Sequence, residues 1–183
     1  MNNLDSESLE EIHEKIMKQK TKIILSVKVA ISEEINKQKR LEDYKIVWNQ
    51  LQNIAITPIE KCLSDVFPNA QFNITRSKST YPDLKMIVGE KIIAIDIKSN
   101  EAQKEPWYDI ARLDTIQEER LNKYDEEYDL VVKYDSDTGN LVDVYFELMR
   151  DTVGVRSECN GVKFRPYDGK LRPKSWTDFS NGK

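Results

Sequence analysis

The stretch Thr80 to Ser99, TYPDLKMIVGEKIIAIDIKS, decides how the chain is read. Two apolar runs, Leu84 to Val88 and Lys91 to Ile97, are rich in Ile and Val and flank Gly89-Glu90. Short β-rich runs meeting at a Gly-containing pair predict an antiparallel hairpin. Asp83 begins the first strand, while Asp96 and Lys98 end the second. In a hairpin the start of one strand lies beside the end of the next, so the three converge. Alternation across the pleat puts Ala94, Asp96 and Lys98 on one face and Ile93, Ile95 and Ile97 on the other.

Two carboxylates and an ammonium on one open edge invite a use. Hard oxygen ligands of this kind suit Mg²⁺, which keeps several waters and binds through one or two carboxylates plus substrate phosphate. A lysine beside such a site can orient or deprotonate a water and stabilise charge developing on phosphorus. The alternative from these three residues alone is a solvated, salt-bridged strand end, since surface ion pairs are common.

Pro82-Asp83, twelve residues, then Asp96-Ile97-Lys98 with the apolar lead Ala94-Ile95, resembles the PD-(D/E)xK nuclease motif. The likeness is to type II restriction endonucleases, above all the branch that cuts to blunt ends, and it covers residues 57 to 135. It implies that Asp83 and Asp96 hold Mg²⁺ and that Lys98 serves the attacking water. It adds Glu60 to the catalytic and metal sets, and Ile97 to the metal set. The fold it implies is α/β and restriction-endonuclease-like: a mixed central sheet flanked by helices, with N-terminal helices and an irregular C-terminal tail. The function it implies is Mg²⁺-dependent, sequence-specific cleavage of double-stranded DNA by a homodimer on a palindromic site. Two alternatives stand beside it, a repair or recombination nuclease without a fixed site and a non-catalytic DNA-binding module. Glu60 has a competing role, because Thr57-x-x-Glu60 around Pro58 matches a capping box.

Composition bounds these readings. At 183 residues the chain fits a single domain with a real core. It is 39% hydrophobic and 33% charged, and no run approaches the roughly eighteen apolar residues of a membrane span. The start, MNNLDSESLEE, lacks the basic-then-apolar form of a secretory signal. Cys62 and Cys159 are too few for a disulfide framework, and a cytoplasmic protein is expected. His13 is the only histidine, which argues against a hydrolase relying on a His base. Net charge is −4, yet Asp151 onward carries +3, which leaves −7 on the remainder. That imbalance suits a protein gripping DNA at one face, and equally any uneven surface.

In chain order, residues 1–56 read as helical and as a dimerisation region, 57–150 as the catalytic core, and 151–183 as a basic tail touching DNA. Periodicity predicts helix over 5–39 in two segments, started by Asp5 or Ser6. The apolar segment Ile23 to Ile31 is either a subunit contact or part of the chain's own core. A second helix runs through Tyr44, Val47, Trp48 and Leu51 to Ala55, and a third starts at Thr57-Pro58. A polar strand follows at Gln71 to Thr75, then a helix from Asp114 to Tyr124 and strands at Asp129–Asp135 and Leu141–Leu148. The DNA-contact candidates are Arg76 and Lys78 before the hairpin, Asn100, Gln103 and Lys104 after it, and Arg165, Lys170, Arg172 and Lys174 in the tail. Tyr167 and Trp176, interleaved with those basic residues, lie either along DNA or on the core.

Overall fold

A computed structural model describes residues 7–39, 50–75, 81–104, 123–155, 171–173 and 176. At its centre is a five-stranded mixed sheet, β1 (Gln71–Ile74), β2 (Leu84–Val88), β3 (Lys91–Glu101), β4 (Glu126–Tyr134) and β5 (Leu141–Leu148), in the order 1-2-3-4-5. All neighbours run antiparallel except β3 and β4, which are parallel. The chain is therefore α/β with a mixed sheet and helices, as its strand signals predict.

The β2–β3 hairpin closes as expected. Val88 pairs with Lys91, leaving Gly89-Glu90 as a two-residue loop. Gly89 takes φ +58°, a left-handed value that a Cβ would strain. β3 runs six residues past its last pairing with β2, from Asp96 to Glu101, and pairs with β4 along that extension.

One face of the sheet is apolar. Leu84, Met86, Ile93, Ile95, Tyr128, Leu130, Val132 and Phe146 are buried there in one core with the helices. The first helix, α1 (Leu9–Lys39), is a single 31-residue element where two segments were expected. Its Ile12, Ile16, Ile23, Val27, Ile31 and Ile35 are all buried, at the spacings of one helix stripe. Ile23 to Ile31 thus serves the chain's own core, although Leu25 and Val29 on the far side remain exposed. The start is set by Ser8 rather than Asp5 or Ser6, which lie outside the described residues. Ser8 Oγ accepts the Glu11 N–H at 3.2 Å and the Ser8 N–H donates to Glu11 Oε2 at 2.8 Å, a capping box. α1 is tied to the sheet by His13, whose Nδ1 lies 2.8 Å from the Tyr128 hydroxyl, and by the Lys20–Glu147 ion pair at 2.6 Å.

The second helix corrects the sequence reading. α2 (Leu51–Ser64) is continuous, with Pro58 inside it, so Thr57 does not start a helix and Thr57/Glu60 form no capping box. Proline forfeits one backbone hydrogen bond there. Leu51, Ala55, Ile56, Ile59, Cys62 and Leu63 nevertheless bury one unbroken stripe, and that burial outweighs the lost bond. The part of the expected second helix before Gln50 lies outside the described residues, as do Trp107, Tyr108 and most of the helix expected over Asp114 to Tyr124.

After β5 a short helix, α3 (Met149–Thr152), leads into β6 (Val153–Val155), which pairs with β7 (Leu171–Pro173). The tail is therefore not wholly irregular. Trp176 packs on Val131 and Tyr145, on the sheet face opposite the helices, and its Nε1 donates to the Lys104 carbonyl at 2.7 Å. It belongs to the core reading of the tail aromatics. Among the described residues no helix is long and apolar enough to cross a membrane.

Candidate active site

The polar face of the sheet carries the predicted trio. Leu84 pairs with Ile95, so the next rung outward sets Asp83 across from Asp96 at the mouth of the hairpin. Asp96 and Lys98, two residues apart on β3, share a face and form an ion pair through Asp96 Oδ2. Asp83 is held from two directions. Its Oδ2 accepts the Ile97 N–H at 2.7 Å, and its Oδ1 accepts the Gln52 amide, which also donates to the Thr75 carbonyl at 2.9 Å. The Thr75 N–H in turn donates to the Asp83 carbonyl at 2.9 Å, which prolongs the β1–β2 ladder up to the site.

A third carboxylate stands beside these two. In the parallel β3–β4 pair Asp96 is in register with Asp129, so both project from the same face about 4.8 Å apart along the hydrogen-bonding direction. Asp129 is buried, and its Oδ2 accepts the Thr152 hydroxyl at 2.7 Å. Two residues earlier Glu127 is in register with Ala94 and takes a short hydrogen bond from the Tyr81 hydroxyl. Tyr81 meets Tyr124 edge-on, which fixes the segment leading into Pro82-Asp83.

Three carboxylates facing one ammonium unbalance the local charge. Burial and then the Asp96 charge push the Asp83 carboxyl up to about 7, against the Ile97 N–H bond that favours ionisation. Burial likewise pushes Asp129 up to about 6, with Lys98 opposing and Asp96 adding to the rise. Burial works to discharge Lys98, but Asp96, Asp129 and Asp83 outweigh it and hold the ammonium above its ordinary range. Carboxyls raised in this way mark a place where a further positive charge would be stabilised.

The donor set fits a hard divalent cation. Asp83 and Asp96 offer oxygens from opposing strands, and two carboxylates with waters are the habit of Mg²⁺. Among the described residues there is no cluster of three or more His, Cys, Asp or Glu side chains placed to hold a metal. Such a cation would therefore rely on water or substrate oxygens for the rest of its shell. Ile97 lies at the site through its backbone, while its side chain packs against the core on the other face.

Glu60 is not brought to this cluster by any polar contact. It lies eight residues beyond Gln52, about 12 Å further along the α2 axis. The α2 residue that reaches Asp83 is Gln52, which the apolar stripe places on the helix flank facing the hairpin. Asp129, Thr152 and Gln52 were not anticipated. Asp129 does carry a faint signal, as an acid opening the apolar run Leu130-Val131-Val132.

The expected DNA-contact residues fare unevenly. Asn100 is still within β3, on the Asp96 face and buried at 6% exposure, rather than in a loop at the strand end. Gln103 and Lys104 are exposed in the turn that follows. Gln103 Oε1 accepts the Ser136 N–H at 3.3 Å, and Lys104 pairs with Glu101 at 2.7 Å. Arg172 lies in β7, with its backbone opposite Gly154. Arg76, Lys78, Arg165, Lys170 and Lys174 fall outside the described residues. Compared with known proteins, the chain matches no family model and no curated protein sequence.

Proposed function

We propose that this chain is a Mg²⁺-dependent endonuclease of the PD-(D/E)xK type with a restriction-endonuclease-like fold. It cleaves double-stranded DNA at a palindromic site as a cytoplasmic homodimer. The observation that supports this reading is the meeting of Asp83, Asp96 and Lys98 at the mouth of one hairpin, where burial and then the Asp96 charge push the Asp83 carboxyl up to about 7. A two-fold dimer would mirror a palindrome, each protomer serving one strand.

When bound, Mg²⁺ supplies Lewis-acid activation of water and offsets negative charge at phosphorus. The chain's own residues do the rest. Asp83 and Asp96 offer the anionic oxygens, with the Ile97 N–H and the Gln52 amide fixing the Asp83 carboxylate in orientation. Lys98 is held as an ammonium, so it acts as a hydrogen-bond donor that orients the attacking water and steadies charge developing on the phosphate. Attack forms the new P–O bond as the bond to the 3′ oxygen breaks. The water's proton passes to solvent, the departing 3′ oxygen takes a proton from solvent, and the products are a 5′ phosphate and a 3′ hydroxyl.

Digestion of several unmethylated plasmid or phage DNAs with Mg²⁺, beside an EDTA control, tests this. Discrete and reproducible bands are expected, and their mapped ends would give the site and the stagger. A smear without fixed positions would replace the reading with a structure-selective nuclease. Absence of cutting with Mg²⁺ or Mn²⁺ would overturn it.

A further inference from the structure

Asp129 has no part in the mechanism above, yet burying a carboxylate is costly unless a partner compensates it. Its surroundings are built to keep it. Asp129 is only 3% exposed, in register with Asp96 across the parallel strands, and braced by the Thr152 hydroxyl. The hydroxyl oxygen also lies 2.8 Å from the Met149 carbonyl oxygen, so its single proton is shared between that carbonyl and Asp129, and α3 fixes the brace in place. Lys98 stands on the same sheet face, two residues beyond Asp96 on β3, and interacts electrostatically with Asp129 as well as with Asp96. Lys98 is itself four-fifths buried, and its direct ion pair is to Asp96. Asp96, however, is the carboxylate that a cation at the hairpin mouth would also claim.

We propose that Asp129, braced by Thr152, is a positioning residue for Lys98: it retains the ammonium at the site when Asp96 is engaged elsewhere. The proposal deepens the nuclease reading and rests on it for its catalytic consequence. Asp96 can then serve a metal without releasing Lys98 to solvent, because a second fixed anion stands one strand away. Thr152 matters through its hydroxyl, which fixes the Asp129 carboxylate by a hydrogen bond.

The test labels lysines of the full-length chain with acetic anhydride and scores Lys98 by peptide mass spectrometry, with exposed Lys104 as the internal reference. Asp96→Asn imitates the loss of Asp96 to a cation. Lys98 should stay protected in Asp96→Asn, within about twofold of wild type, because Asp129 still holds it. In Asp96→Asn/Asp129→Asn labelling should rise about tenfold, the factor that roughly 1.4 kcal/mol of lost interaction corresponds to. Added to Asp96→Asn, Thr152→Val should raise labelling and Thr152→Ser should not. Full deprotection by Asp96→Asn alone, or no further rise in the double variant, would overturn the proposal. If Asp129→Asn does not fold, as judged by circular dichroism, the Thr152 pair decides in the same way.

Plasmid cleavage supplies the second readout. Asp129→Asn should lower kcat about tenfold and leave KM for DNA unchanged. A wild-type chain that cuts DNA alongside an Asp129→Asn variant of undiminished kcat would sink the positioning role and leave the nuclease reading standing. A wild-type chain that cuts nothing would sink the nuclease reading, while Lys98 labelling would still decide whether Asp129 holds the ammonium.

Discussion

The two faces of β3 belong to the same eleven residues and follow opposite rules. Ile93 and Ile95 point into the helices and are completely buried among other hydrocarbon side chains. Asp96, one residue on, is almost as deeply buried, at 5% exposure, but among charges. The first face gains stability from every atom it hides, by the ordinary transfer of apolar surface out of water. The second hides three carboxylates around one lysine and raises the Asp83 and Asp129 carboxyls to do so. Burial on the helix side makes the fold. On the other side it makes a site that the fold must tolerate.

That contrast can be broken by mutation. The largest effect should come from Asp96→Ala, which removes a proposed cation ligand: Mg²⁺-dependent cleavage should fall about a hundredfold to a thousandfold. The melting temperature and DNA binding in Ca²⁺ should hold, and cleavage at the wild-type rate would refute the site. The mirror experiment is Ile95→Ala on the opposite face. It should cost about 3 kcal/mol in urea denaturation by leaving a cavity under α1 and α2, with cleavage by the remaining folded protein little altered.

The charged face can also be sharpened through pH. Both raised carboxyls hold protons in the folded chain, up to about 7 for Asp83 and about 6 for Asp129, that the unfolded chain releases near 3.8. Folding is then favoured at the acid end of that window, and stability is lost as pH rises through it. The metal-free melting temperature should accordingly fall between pH 4 and pH 8. Mg²⁺ should raise it more at pH 8 than at pH 5, because the Asp83 carboxyl, raised to about 7, is ionised mainly at the higher pH. A melting temperature flat across this range, or one that rises, would contradict the burial and repulsion described for the site. The smallest effect is expected for Lys20→Ala. This partly buried pair with Glu147 should contribute about 1 kcal/mol and should weaken in salt, as urea denaturation in low and high NaCl would reveal.

What the sequence discloses follows the range of each interaction. The hairpin was legible because a Gly in a two-residue loop and a period of two are local facts, and they suffice to place Asp83, Asp96 and Lys98 together. Pro58 misled because its local preference is to start a helix, while the stripe from Leu51 to Leu63 is a property of the whole element packed on α1. Ser8 was passed over for Asp5 and Ser6, although Ser8-x-x-Glu11 spells the same capping box that Thr57-x-x-Glu60 only imitates. Gln52 and Asp129 were out of reach for a different reason. Which residue of α2 meets the hairpin is set by tertiary packing, and so is the residue of β4 that stands beside Asp96. Neither leaves a period in the chain.

The parallel pairing of β3 with β4 also fixes the order in which the polar face is assembled. Asp83, Asp96 and Lys98 come together when a two-residue loop closes, an event of the microsecond scale for a hairpin. Asp129 arrives only after the 24 residues between β3 and β4 have been traversed and a non-local strand has docked. A chain caught between those two events holds its acids and its lysine on one open ribbon, with no inner anion behind the ammonium.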